Sequence, residues 1–178
     1  MKTTQILFAG FGGQGILFSG KFLAYKGLLE DKQVSWLPSY GPEMRGGTAN
    51  CNVILSDSPV GSPIITAPDV LIAMNLPSLQ KYMDTVAPGG QIYVDSALID
   101  AKVERTDVEV FYIPATQMAK DNGIPTLANM IIVGHLLENH PELSFAGTDD
   151  VVAKLVPPKK AALVELNKKA LSLGKEYK

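Results

Sequence analysis

The sequence is poor in the residues that bind metals and form disulfides. Its 178 residues include one cysteine, Cys51, and two histidines. A single cysteine excludes an internal disulfide and cannot supply the four thiolates of an iron–sulfur cluster. A zinc site built from cysteine and histidine is nearly excluded for the same reason. The low cysteine content agrees with a reducing compartment, and we expect a cytoplasmic protein.

The sequence also lacks a basic excess and any long apolar run. Sixteen Lys and Arg against eighteen Asp and Glu give a formal net charge of -2, so the electrostatic signature of a nucleic-acid-binding protein is missing. No stretch approaches the ~20 apolar residues that span a bilayer, and the first residues lack a signal-peptide pattern. We therefore expect no nucleic-acid partner and no membrane association. A mean hydropathy of +0.12 is high for a small soluble protein and favours a surface covered by a partner.

Short apolar segments alternate with segments of helical periodicity. Strands are predicted at 6–9, 34–37, 48–56, 70–74, 91–95 and 108–113, and helices at 16–29, 76–83, 115–122, 127–139, 149–155 and 159–173. This alternation is typical of an α/β protein. We predict a single domain, residues 1–178, with a doubly wound, mostly parallel sheet and helices on both faces. Residues 48–65 are expected to form a short antiparallel addition at one edge, with Ile64 and Ile65 as a possible returning strand.

A glycine-rich loop, Gly10-Phe11-Gly12-Gly13-Gln14-Gly15, lies between the first strand and the first helix. Missing Cβ atoms allow a tight turn, and the free N–H groups at the helix start attract anions. Gly10, Gly12, Gly13, Gln14 and Gly15 are therefore candidate binding residues. The alternative is a tight strand-to-helix turn that packs closely and binds nothing.

The rest of the sequence limits what the glycine loop binds. A dinucleotide site needs an acid at the end of the second strand, but that strand ends Leu37-Pro38-Ser39-Tyr40. An NAD(P)-dependent oxidoreductase is therefore disfavoured. No lysine follows Gly15 directly, as a P-loop kinase or ATPase would require.

A second unusual loop follows the second strand and is expected at the same sheet edge. It reads Ser39-Tyr40-Gly41-Pro42-Glu43-Met44-Arg45-Gly46-Gly47. Charged residues on a backbone shaped by proline and glycine can bind a ligand, although a solvated surface ion pair is the ordinary alternative. Candidate binding residues here are Tyr40, Glu43, Arg45, Gly46 and Gly47. Asp95 and Asn75, which end two other strands, are either ligand contacts or helix caps.

The glycine loop and the segment Tyr40-Gly41-Pro42-Glu43-Met44-Arg45-Gly46-Gly47-Thr48-Ala49 together resemble the gamma subunit of 2-oxoacid:ferredoxin oxidoreductases. These are the pyruvate, 2-oxoglutarate and branched-chain 2-oxoacid enzymes. The strand from Cys51 to Ser56 and the helix with Asn129, Met130 and Gly134 extend the resemblance over most of the chain.

The resemblance implies a subunit that is inactive alone and has no catalytic or metal-binding residue of its own. In the family, thiamine diphosphate and Mg²⁺ lie between other subunits, electrons leave through iron–sulfur clusters to ferredoxin, and the acyl group passes to coenzyme A. The implied partners are alpha, beta and, where separate, ferredoxin-like delta subunits. Arg45 is then expected to hold a carboxylate or phosphate and Glu43 to orient Arg45 or contact a partner. The alternative function is a stand-alone nucleotide- or coenzyme A-binding regulatory module.

Overall fold

The computed structural model describes residues 2–39 and 48–178, and these residues form one six-stranded sheet covered by helices. The strands are β1 (Thr3–Phe11), β2 (Gln33–Ser39), β3 (Thr48–Ser56), β4 (Val70–Ala73), β5 (Gln91–Asp95) and β6 (Glu109–Ile113). The helices are α1 (Ile16–Leu29), α2 (Leu76–Tyr82), α3 (Ala115–Asp121), α4 (Ala128–Asn139), α5 (Thr148–Leu155) and α6 (Ala162–Glu176).

The sheet order is β2-β3-β1-β4-β5-β6. Strands β1, β4, β5 and β6 are parallel, whereas β3 is antiparallel to both of its neighbours, β1 and β2. The predicted α/β class and the mostly parallel sheet are confirmed. The antiparallel strand lies on one side of the sheet, as expected, but it is second from the edge because β2 pairs outside it. Ile64 and Ile65 form no strand and belong to the irregular connection between β3 and β4.

The position of β2 at the edge explains its unusual sequence. Pro38 is part of the strand, where it is paired with Cys51, and edge strands tolerate a proline because one side of the strand needs no donor. The sequence predicts a strand that stops before Pro38, whereas β2 continues to Ser39. β3 buries its alternate residues Ala49, Cys51 and Val53, because the period of two places them all on the face covered by α1.

Helices cover both faces of the sheet, though unequally. On one face, a large core contains Phe8, Phe22 and Ile131 and is closed by α1, α3, α4, α5 and α6. On the other face, Leu71 and Leu79 belong to a smaller core under α2 and the segment that follows β5. Helix α4 is buried along almost its whole length. No helix in the described part of the chain is long and apolar enough to cross a membrane.

Candidate functional site

The candidate site is the crevice between the carboxyl ends of β1 and β4. These strands are parallel neighbours, but α1, which follows β1, packs on one face of the sheet and α2, which follows β4, packs on the other. The chain therefore leaves the two strands in opposite directions. Ligands of open α/β sheets bind at such a switch point, and the glycine loop, whose first two residues Gly10 and Phe11 end β1, lies there.

Gln14 closes the glycine loop onto the neighbouring strand. Its Oε1 accepts a hydrogen bond from Phe11 N at 2.7 Å, and its Nε2 donates to Met74 O, directly after β4, at 2.9 Å. A backbone bond from Gln14 N to Phe11 O at 3.2 Å completes the turn. One side chain thus spans the crevice and fixes the loop backbone without any ligand.

The glycines of the loop are required for different reasons. A Cβ on Gly10 would lie 2.7 Å from Gln14 Oε1 and 2.8 Å from Ile16 Cδ1, so the first glycine makes room for the loop's own side chains. Gly13 has φ +90°, and, apart from Gly13 itself and its two chain neighbours, no atom of the described residues lies within 4 Å of a Cβ placed there. Gly13 is therefore a position where the described part of the chain leaves room for an incoming group.

Gly15 is held by a residue of α4. Gly15 has φ +75°, and a Cβ there would overlap the side-chain amide of Asn129. Asn129 Nδ2 donates to Gly15 O and to Ser19 Oγ, each at 3.1 Å. The sequence points to Asn129 only through the family resemblance and not as a site residue. The available signal is a polar side chain in an otherwise apolar helix.

Asp95 and Asn75, whose roles the sequence leaves open, both act as caps. Asp95 is completely buried, and its carboxylate accepts from Thr116 Oγ1 at 2.6 Å and from the backbone N–H groups of Thr116 and Ala97. Asn75 Oδ1 accepts from Ser78 N at 2.8 Å and starts α2. Among the described residues, Asn75 Nδ2 and Ser78 Oγ have no hydrogen-bond partner. Two unused buried polar groups therefore lie beside the crevice.

The second loop begins and ends at the same edge as the glycine loop. β2 ends at Ser39, which pairs with Asn50, and β3 begins at Thr48, which pairs with Phe11. The predicted site residues Tyr40, Glu43, Arg45, Gly46 and Gly47 lie outside the described residues. The flanking residues agree with the expectation that the two loops share one edge.

Cys51 and His135 have structural roles, as the sequence favours. Cys51 is buried, its Sγ donates to Ile16 O at 3.5 Å, and burial raises its pKa to about 12, so it remains a thiol. His135 lies in α4 with Nδ1 3.1 Å from Gly174 O, and burial lowers its pKa. No group of three His, Cys, Asp or Glu side chains in 2–39 and 48–178 is placed to hold a metal ion.

The fold and crevice define a class of protein: an α/β protein whose glycine loop is fixed from within at a switch point, at the edge where β2 ends and β3 begins. Comparison with protein families identifies the class further. The model of the family described as pyruvate ferredoxin/flavodoxin oxidoreductase matches residues 5–177, and the chain belongs to this family.

Curated relatives of two architectures match the chain. It is 37% identical to the ketoisovalerate oxidoreductase subunit VorA of Methanothermobacter thermautotrophicus over 97% of this chain, yet it spans only 36% of that protein. It is 34% identical to the 2-oxoglutarate synthase subunit KorC of Methanothermobacter marburgensis over 97% of this chain and 95% of the relative. The same domain thus forms nearly all of one relative and about a third of the other.

Solved structures agree with both architectures. The gamma subunit of a keto/oxoacid ferredoxin oxidoreductase from Geobacter sulfurreducens has a TM-score of 0.85 and 32% identity, with 99% of this chain and 96% of that chain covered. The second is the structure of 2-oxoglutarate:ferredoxin oxidoreductase from Magnetococcus marinus with 2-oxoglutarate, coenzyme A and succinyl-CoA bound. It has a TM-score of 0.87 and 26% identity over 98% of this chain and 31% of that one.

Proposed function

We propose that this chain is the gamma subunit of a thiamine diphosphate-dependent 2-oxoacid:ferredoxin oxidoreductase, which converts a 2-oxoacid such as 2-oxoglutarate or pyruvate to its acyl-CoA. The near full-length match to KorC and to a gamma subunit of known structure supports this assignment. Its partners are alpha, beta and, where separate, ferredoxin-like delta subunits, with ferredoxin as the electron acceptor. The complex acts in the cytoplasm. The comparisons do not favour a stand-alone regulatory module.

The chain's own residues do not fit the metal-containing cofactors of such a complex. Cys51, the only cysteine, is buried and donates to Ile16 O. The described residues contain no cluster of His, Cys, Asp or Glu suited to Mg²⁺. We propose that the partner subunits hold thiamine diphosphate, Mg²⁺ and the iron–sulfur clusters, and that this chain contributes to assembly and to the wall of a ligand pocket.

Coenzyme A, which accepts the acyl group as a thioester, fits the crevice better. Backbone N–H groups at the start of α1 are donors for an anionic group. The observation that carries the proposal is the Gln14 bridge, because it holds the loop at the switch point with Gly13 clear of the other described residues. The N–H groups of Gly12, Gly13 and Gly15 meet the anionic group there, since Gln14 N already donates to Phe11 O.

The second loop completes the proposed pocket. Arg45 offers a two-pronged contact to a carboxylate or phosphate, and Glu43 orients Arg45 or contacts a partner. Tyr40, Gly46 and Gly47 belong to the same proposed set of binding residues. Together with Gly10, Gly12, Gly13, Gln14 and Gly15, these are the ligand-binding residues that we propose.

Arg45 tests the binding role in the co-expressed complex. We expect Arg45→Ala to raise the KM for coenzyme A or to weaken assembly. Arg45→Lys should show a smaller defect than Arg45→Ala but not wild-type behaviour, because lysine lacks the planar guanidinium group that makes two parallel hydrogen bonds. If Arg45→Ala leaves both assembly and the KM for coenzyme A unchanged, the proposed role of this loop is wrong.

Two exposed apolar residues test which surface faces the partners. Phe11 is 39% exposed in the glycine loop, and Leu28 is 56% exposed at the other end of α1. Phe11→Asp should reduce co-purification with the alpha and beta subunits, whereas the matched control Leu28→Asp should not. If Leu28→Asp reduced co-purification and Phe11→Asp did not, the interface would lie at the opposite edge of the sheet.

A further inference from the structure

A second cavity lies at the edge of the sheet that β6 forms. It has a volume of about 520 Å³ and lies between β6, the end of α4, and the end of α6 with the residues that follow it. Among the described residues, those that line it belong neither to the glycine loop nor to β1 or β4. β5 separates β6 from β4, so at least about 10 Å of sheet lies between this cavity and the β1–β4 crevice.

A stack of aromatic rings ends at this cavity. Tyr93 of β5 is completely buried and stacks on Phe111 of β6, with ring centroids 4.6 Å apart and ring planes within 8°. The two residues are paired across neighbouring strands, and β6 is the edge strand. The side of the Phe111 ring away from Tyr93 therefore faces the open edge of the sheet. Phe111 is partly exposed there and lines the cavity.

His135 lines the same cavity and is held in one tautomer. Its ring meets the rings of Phe111 and Tyr177 edge-on, with centroids 5.6 Å and 5.5 Å away. Nδ1 lies 3.1 Å from Gly174 O, one of the last carbonyls of α6, which have no donor within the helix. Nδ1 therefore carries the hydrogen. Burial lowers the pKa of His135, so the ring is neutral at pH 7 and Nε2 is an acceptor.

The Nε2 atom of His135 is unused and accessible. Both polar contacts of the ring, with Gly174 O and Asn139 Nδ2, are made by Nδ1. In residues 2–39 and 48–178, the inaccessible side-chain atoms that lack a partner all belong to other residues, namely Asn75, Ser78, Asn129 and Asn167. Since His135 is 5% exposed and lines this cavity, the accessible part of its ring opens into the cavity. A group that enters it meets a fixed acceptor.

The charged groups at the rim restrict the ligand further. Lys175 and Lys178 are exposed and line the cavity together with one acid, Glu138. Two ammonium groups against one carboxylate repel a cation and attract an anion. A flat ring suits the open side of Phe111 because aromatic rings stack. A cavity of this size with aromatic walls and a few polar groups is typical of small-molecule sites.

We infer that this cavity binds a planar aromatic anion whose ring carries a hydroxyl or N–H group. The ring stacks on Phe111, its donor hydrogen meets His135 Nε2, and the anionic group lies beside Lys175 and Lys178. The site lies outside the crevice of the proposed function and requires neither coenzyme A nor the partner subunits. Its failure would leave the gamma-subunit assignment untouched.

Three matched probes test the inference by NMR titration of the ¹⁵N-labelled full chain. 6-Hydroxy-2-naphthoate carries the ring, the donor and the charge, 6-methoxy-2-naphthoate lacks the donor, and 6-hydroxy-2-naphthamide lacks the charge. We expect saturable shifts of the Phe111 and Tyr112 amides with the hydroxynaphthoate and at least about threefold weaker binding of the other two. Equal binding of either of the others, or no saturable shift with the hydroxynaphthoate, overturns the inference.

Exposed lysines test the charge without disturbing the core. The double variant Lys175→Ala, Lys178→Ala should weaken binding of the hydroxynaphthoate to the level of the naphthamide. Lys169→Ala is the matched control, because Lys169 is also on α6 but donates to Asn122 O and does not line the cavity. Unchanged binding in the double variant, or an equal loss in Lys169→Ala, contradicts the proposal.

Two aromatic positions test the donor and the stack. His135→Phe keeps a ring and removes the acceptor, so the hydroxynaphthoate and the methoxynaphthoate should bind equally. Phe111→Leu should weaken all three probes, and it tests the site even if His135→Phe fails to fold. Phe18→Leu, at a partly exposed position of α1 outside the cavity, is its control. A retained preference for the hydroxyl in His135→Phe, or full binding in Phe111→Leu, contradicts the proposal.

Discussion

The side chain of Gln14 bridges the glycine loop and β4, because Gln14 Nε2 donates to Met74 O at 2.9 Å while its Oε1 accepts from Phe11 N at 2.7 Å. The bridge gives the first glycine of the pattern a different role from the one expected in a dinucleotide-binding loop. In a dinucleotide-binding loop the glycines admit a phosphate, whereas here Gly10 admits the glutamine of the same loop. The loop is thus held in place by hydrogen bonds within the chain itself.

Removing the bridge should loosen the loop. We expect Gln14→Leu to lower the free energy of unfolding by about 1–3 kcal/mol, because Phe11 N and Met74 O lose their side-chain partner. Gln14→Glu keeps the acceptor for Phe11 N but places a carboxylate oxygen against Met74 O, so it should also lower the free energy of unfolding. Chemical denaturation measures both, and hydrogen exchange should show faster exchange of the Phe11 amide in Gln14→Leu. An unchanged Phe11 exchange rate would show that the bridge does not hold the loop.

Replacing Gly15 with alanine should destabilise the protein more than replacing a glycine that has free space around it. Gly15→Ala combines a left-handed backbone with overlap on the Asn129 amide, and we expect a loss of about 2 kcal/mol or more. Apart from Gly61 itself and its two chain neighbours, no atom of residues 2–39 or 48–178 lies within 4 Å of a Cβ placed on Gly61, and its φ is not in the left-handed range. Gly61→Ala is therefore the control and should change stability by less than about 0.5 kcal/mol. If Gly15→Ala and Gly61→Ala lowered the free energy of unfolding by similar amounts, contact with Asn129 would not be what requires a glycine at position 15.

Much of the fold follows from local patterns in the sequence. The alternation of β3, the apolar run of β4 and the long, nearly uniformly apolar segment of α4 each predict the observed element to within a residue or two, because each depends on which neighbouring side chains are buried. The edge shared by the two loops also follows, since β1 and β2 run in the same direction and both end there.

The parts that the sequence could not predict depend on contacts between distant residues. β3 lies between β1 and β2 in the sheet. The alternation of buried residues in a strand shows which face is buried but does not show which strands are its neighbours. Asn129 supports Gly15 across 114 positions of sequence, and an asparagine in a helix carries no sign of its partner. The capping role of Asp95 likewise depends on Thr116, which belongs to another element.

Asp95 should contribute to stability rather than to ligand binding. Its carboxylate accepts from Thr116 N, Thr116 Oγ1 and Ala97 N. In Asp95→Asn an NH₂ group faces some of these donors, and we expect a loss of about 1–3 kcal/mol. Asp100→Asn, at an exposed position, is the control and should have little effect. A stable Asp95→Asn with impaired activity of the complex would instead place Asp95 in the binding site.

The two histidines predict a pH dependence of stability. Burial lowers the pKa of both His135 and His140 below their ordinary value of about 6.5. The unfolded chain therefore takes up protons at a higher pH than the folded chain, and the free energy of unfolding should fall as the pH drops below 6.5. Denaturation curves at pH 7.5 and 5.5 measure this fall, which should be smaller in His140→Asn. An equal fall in that variant would exclude His140 as a source.

The central claim is that the glycine-loop edge meets the partner subunits and their ligand. Hydrogen exchange of the chain alone and in the co-expressed complex tests it most directly, because the amides of residues 12–17 lie in the loop and the first turn of α1. We predict at least about tenfold slower exchange of these amides in the complex, with residues 28–32 at the other end of α1 unchanged. Slower exchange at residues 28–32 with no change at 12–17 would contradict the claim.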